Sequence, residues 1–258
     1  MSSDAGTFVI NVRDDITAFM GKIDFWQRES IPFVTAYALT KTAEEIKEEE
    51  ISVMARVFDR PTRFTLNALF VRPATKTHLQ AAVGFKDGFG SVPAWRYLGP
   101  EVEGGPRVKK GFERALERAG LLRPDEFCVP ARGCKLDSNG NIPGSLIEQM
   151  LSGLSAAEQS AGYMANITAR SKKRNPRRGL YFILRATKGA PDGIYTRLPG
   201  GRAIQAMILF VGQPQYKKRF PFYETATWIF QSQFAKHWRQ GWAQYGGYRK
   251  DGGYRKAG

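Results

Sequence analysis

Histidine and cysteine are nearly absent from this chain. Its 258 residues hold two of each, and that scarcity removes much of the chemistry side chains can perform. Cys128 and Cys134 stand with five residues between them in a stretch of loop character. With no other Cys and no nearby His, neither a tetrahedral zinc site nor a disulfide framework can be assembled. Both are expected to be free thiols in a reducing cytoplasm. His78 falls in a turn and His237 on a C-terminal helix, and neither has a Cys, Asp or Glu at ligand-like helical spacing. Also missing are a Gly-x-Ser-x-Gly elbow, a Walker loop and a dinucleotide fingerprint; the glycines from Gly84 to Gly90 lack the lysine and following helix that cradle a phosphate. The expectation is therefore no enzyme, no catalytic residue, no metal and no cofactor.

Long apolar runs are missing too. The longest, Ala203 to Gly212, falls well short of the roughly 20 residues needed to cross a bilayer, and the N-terminus MSSDAGTF lacks the basic and apolar regions of a secretory leader. No membrane partner is expected.

What the chain has in excess is positive charge, 39 Lys and Arg against 24 Asp and Glu, for a formal net charge of +15. Such a surplus implies an anionic counterpart, either nucleic acid or the acidic surface of neighbouring subunits. The densest cluster is Arg170, Lys172, Lys173, Arg174, Arg177 and Arg178, six basic residues within nine. It is expected to be an exposed loop that contacts phosphate or an acidic partner. The tail repeats Gly-Gly-Tyr-Arg-Lys at 246–250 and 252–256, a low-complexity basic extension without core-forming capacity. Its Tyr248, Arg249, Tyr254 and Arg255 are candidate contacts to an adjacent subunit.

Hydrophobic periodicity predicts an amphipathic helix capped by Asp14 and Asp15, with Ile16, Phe19, Met20, Ile23 and Trp26 on one face. A second helix is predicted to open at Pro32, with Leu39, Ala43, Ile46, Val53 and Val57 on its apolar side and an end near Pro61. The run Glu44, Glu45, Glu48, Glu49, Glu50 within it reads as a solvated face, or alternatively as a docking strip for a basic surface. The β-rich runs 64–71 and 79–85 are expected to pair as antiparallel strands. A glycine-rich stretch follows. A surface helix is expected at 112–122, with Glu113, Arg114, Glu117 and Arg118 outward, then irregular chain over 123–145, and helices at 145–154 and 155–169. Runs at 180–186, 194–198 and 204–211 read as a β-meander. A last helix over 221–244 places Ala226, Phe230, Phe234, Trp238 and Trp242 at four-residue intervals. Phe230, Phe234, Trp238 and Trp242 are thus candidates for a core or inter-subunit stripe.

One near-miss to a calcium loop occurs: Asp137, Asn139, Asn141 and Glu148 sit at positions 1, 3, 5 and 12 of an EF-hand. Ile142 stands where the turn glycine belongs, and no entering helix precedes it. The expected structure is an Asn-Gly turn followed by a helix near Ser145.

Several whole phrases resemble a known family. IPFVTAYALTKTA at 31–43, VFDRPTRFTL at 57–66, VRPATK at 71–76, YLGPEVEGG at 97–105 and GIYTR at 193–197 are similar to those of tailed-phage tail completion or minor tail proteins of the protein Z type. The resemblance spans about residues 8–122 and, more loosely, 180–244. It implies a structural virion protein, assembled in the host cytoplasm, placed at the neck where head meets tail. It further implies a homo-oligomeric ring around the DNA channel, with other virion proteins and the DNA as neighbours. The family carries no defined catalytic residues. The rival reading, from charge, is a sequence-nonspecific DNA-binding protein.

The expected fold is α+β: two N-terminal helices, a small antiparallel sheet built from both halves of the chain, and a long C-terminal helix. Its expected parts are 1–125, an insertion at 126–178 ending in the basic loop, 179–245 completing the same domain, and the extension 246–258.

Overall fold

The computed structural model describes residues 6–11, 25–87, 92–154, 181–185, 189–198 and 203–245. In chain order the elements are β1 (Thr7–Asn11), α1 (Phe25–Val57), α2 (Arg63–Leu66), β2 (Leu69–Arg72), β3 (Gln80–Phe85), α3 (Trp95–Glu103), β4 (Gly105–Pro106), α4 (Gly111–Arg118), β5 (Phe127–Pro130), α5 (Gly144–Gly153), β6 (Tyr181–Leu184), β7 (Gly193–Arg197), β8 (Ile204–Val211), β9 (Gln215–Tyr216) and α6 (Phe222–Tyr245). The chain divides into two units. Unit 1 is residues 1–104 with 217–258, and unit 2 is the intervening 105–216.

Unit 1 is organised by α1. Leu39, Ala43, Ile46 and Val53 are buried along one side of this helix, with Val57 partly so, as the spacing predicts. Beside it lies a three-stranded antiparallel sheet in the order β1-β3-β2, with Thr7 opposite Gly84 and Leu69 opposite Phe85. Strand β3 is central. Its Ala81, Ala82, Val83 and Phe85 are all buried, so apolar residues fill both of its faces rather than alternating with polar ones. The long helix α6 runs along α1 and contributes Phe222, Ala226 and Ile229 to the same core. Glu101 ties the two separated parts of unit 1 together: its backbone carbonyl accepts from Arg219 N and Phe220 N, and its carboxylate accepts from the Arg219 guanidinium.

Unit 2 centres on a four-stranded antiparallel sheet, β5-β8-β7-β6. Ile194, Met207, Ile208 and Phe210 join Leu116, Leu122 and Met150 in its core. Gly193 is required where β7 crosses β8, because a Cβ there would collide with the Ile208 carbonyl oxygen. The two-residue ladder of β4 with β9 sets Gly105 opposite Tyr216, so this unit begins and ends at one place.

Several expectations need correction. The strands do not form one sheet shared between the two halves of the chain: β1, β2 and β3 belong to unit 1, and β5 to β8 to unit 2. Helix α1 begins at Phe25 and runs through Pro32 instead of opening there. Ile31 and Val34, flanking the proline, are both buried, and that packing outweighs the hydrogen bond a proline forgoes. The helix predicted from Asp14 lies almost wholly outside the described residues. Residues 63–66 form the short helix α2, capped by the Thr62 hydroxyl accepting from Thr65 N, so the strand starts at Leu69. The glycine-rich stretch contains helix α3, and the irregular stretch contains strand β5. The expected boundaries near 125 and 178 do not coincide with the limits of the units. The predicted helix 155–169 lies outside the described residues.

Candidate functional site

The candidate stripe on the C-terminal helix is found where α6 meets α1. Phe230 and Phe234 are half-buried against the unit 1 core, their ring centroids 5.3 Å apart. One turn further, Trp238 and Trp242 stack almost parallel, at 5.4 Å and 7°, and Trp238 Nε1 donates to Thr35 Oγ1 at 3.2 Å. Each of the four is thus engaged within its own chain and remains part-exposed. Gly241 permits the close approach of the helices, since a Cβ there would lie 2.8 Å from Tyr37 Cδ1. His237 Nε2 and Glu45 Oε2 are 2.7 Å apart across the same seam. This places His237 in a structural bond and takes Glu45 out of the purely solvated face. The exposed aromatic of α6 is Trp228, which is 65% accessible.

The other candidates from the sequence, Arg170, Lys172, Lys173, Arg174, Arg177, Arg178, Tyr248, Arg249, Tyr254 and Arg255, lie outside the described residues. His78 is exposed in its turn. Burial pushes the Cys128 thiol up to about 12, with Glu113 adding to the effect, so at neutral pH it is protonated and a poor nucleophile. Burial also raises the Cys134 thiol. Asp137 Oδ1 accepts from the amides of Asn139 and Asn141, at 2.9 and 2.8 Å, an Asx turn closed by Gly140 at φ +79°. Helix α5 follows at Gly144, matching the turn-then-helix expectation. No group of three or more His, Cys, Asp or Glu among the described residues could hold a metal, and no helix among them is long and apolar enough to cross a membrane.

Glu50, Glu101, Glu113 and Glu126 are buried, and for two of them the sequence suggests the opposite. Glu113, expected to face solvent, is 1% exposed. Its carboxylate accepts from both Nη atoms of Arg107, from Lys110 N at 2.6 Å and from Cys128 N at 2.7 Å. Burial alone would raise this carboxyl, but these donors outweigh it and hold the group below its ordinary range. Glu50, expected on the acidic face of α1, is 0% exposed. Neither of its carboxylate oxygens has a hydrogen-bond partner among the described residues. Burial first, then the charges of Glu49 and Glu224, push it up to about 9. A signal for Glu50 was present: the stripe Leu39, Ala43, Ile46, Val53, Val57 has a gap that the 4-3-4-3-4 spacing fills with position 50. The remaining acids differ, Glu44 and Glu48 being exposed and Glu49 half-buried.

On unit 2, Arg114, Glu117 and Arg118 line an open depression of about 470 Å³, a surface with more positive than negative charge. Comparison with family models, with curated proteins and with solved structures gives no match in any of the three.

Proposed function

We propose that this chain is a structural virion protein of a tailed bacteriophage, a tail completion component that assembles as a ring at the head–tail junction around the DNA channel. The observation that carries the reading is where the family-like phrases fall. Residues 31–43 lie on α1, 57–66 span its end and α2, 71–76 close β2 into the following turn, 97–105 run from α3 into β4, and 193–197 form β7. All of the first four but Gly105 belong to unit 1, and 193–197 to unit 2, so the resemblance is densest in unit 1. The net charge of +15 suits a ring that passes DNA or seats against acidic neighbours.

Light scattering and electron microscopy of the purified full-length protein, alone and mixed with phage heads or tails, test this. The expected result is a discrete ring of several copies, or a stoichiometric complex with one of those particles. A chain that stays monomeric with both, yet binds duplex DNA with an affinity falling steeply with salt, would overturn it in favour of a sequence-nonspecific DNA-binding protein.

A further inference from the structure

Glu50 occupies a place that the packing of unit 1 otherwise gives to apolar side chains. Ile46, Val53 and Met54 on the same side of α1 are buried. The Glu50 carboxyl among them has no exposed surface and no donor among the described residues. A carboxylate in such a site loses its hydration without compensation, whereas the neutral acid loses only that of an uncharged polar group. The charged groups that act on it offer no relief. Glu49, on its own helix, is bonded to Arg56 at 2.7 Å, and Glu224, on the first turn of α6, is bonded to Lys218 at 2.5 Å. Both acids repel a second negative charge, and Arg56 and Lys218 are bonded to them.

We propose that Glu50 is a proton-operated catch in the core of unit 1: the closed packing of α1 exists with this carboxyl neutral, and loss of its proton drives that packing open. This inference rests on the geometry of unit 1 and is independent of the assembly reading. Its sign follows from linkage. In the unfolded chain the carboxyl releases its proton near the ordinary 4.5, and in the folded chain it keeps it until about 9. Between these values the native state holds a proton that the unfolded state lacks, so stability falls as pH rises through the window and levels off above it.

The test compares the full-length protein with E50Q, which retains shape and polarity but cannot ionise. All five tryptophans, Trp26, Trp95, Trp228, Trp238 and Trp242, lie in unit 1, so urea unfolding followed by tryptophan fluorescence reads this unit. The unfolding constant of the wild type relative to E50Q is expected to rise by up to about tenfold per pH unit between about pH 6 and pH 9. Parallel pH profiles for the two proteins would overturn the proposal, because a purely structural role gives an offset that pH does not change. If E50Q does not fold, E50M serves, and its profile is expected to lack the same slope. Failure of both variants to fold would show that the side chain is required in a bonded state, which also overturns it.

Discussion

Replacing Glu113 by alanine tests how unit 2 is held together. The wild-type carboxylate satisfies the Arg107 guanidinium and the backbone N–H groups of Lys110 and Cys128. With both ends of the ion pair at 9% and 1% side-chain exposure, water does not take over when it is removed. Arg107 would retain a contact over the Phe127 ring, 5.0 Å from its centroid, which does not replace a counter-charge. Breaking a buried pair from one side costs about 3–5 kcal/mol, and the two amides it leaves, only part-buried, each add less than the roughly 1–3 kcal/mol of a fully buried orphan. These terms share partners and do not sum fully, so E113A is expected to lose about 4–7 kcal/mol, a large part of the roughly 5–15 kcal/mol that holds a domain folded. The assay is hydrogen exchange on peptides from β5 and β8, where protection should collapse. The neutral isostere E113Q should also remove a pH dependence. Because the folded carboxyl lies below its ordinary 4.5, its contribution is present above that pH and is lost as the solution is acidified through the folded value. An E113A protein with wild-type protection of β5 and β8 would refute the reasoning.

Two further substitutions probe the seam between α1 and α6. Gly241→Val forces a branched side chain against Tyr37 and Val34, whose nearest atoms lie 2.8 and 3.3 Å from a Cβ at that position; a loss of about 2–3 kcal/mol is expected in thermal or urea melts, and an unchanged midpoint would show that the helices separate at no cost. Trp238→Ala removes a half-buried ring, its stacking on Trp242 and its bond to Thr35. Full burial of such a ring is worth about 3–5 kcal/mol, so a loss of about 2 kcal/mol is expected in the same melts, and wild-type stability would remove the stripe from the list of elements that hold unit 1.

The long elements were legible because their periodicity is local. The apolar side of α1, the strands β6 to β8 and the span of α6 can all be read from spacing alone. Helix α3 was not, since Gly99 and Pro100 inside it read as loop signals. Yet a Cβ at position 99 would sit 2.9 Å from Trp95 Cε2, so the glycine makes room for a ring of its own helix instead of forming a turn. Strand β5 was hidden by Pro130, a residue tolerated because β5 is an edge strand. The separation into two sheets depends on which strands meet across long sequence intervals, and no window of residues contains that information. Among candidate site residues, the aromatic stripe was visible from its spacing. Glu50 was masked by the acids beside it and Glu113 by the arginines beside it, which made an exposed face the natural reading of both segments.

The two-residue ladder that sets Gly105 opposite Tyr216, together with the grip of Glu101 on Arg219 and Phe220, has a genetic consequence. A stretch of coding sequence whose product starts and stops at the same point can be gained, lost or traded as a cassette, because the flanking chain needs only a short bridge to close. Unit 2 starts and stops in this way, so a change of length within it leaves the ladder pairs of β1, β2 and β3 in place.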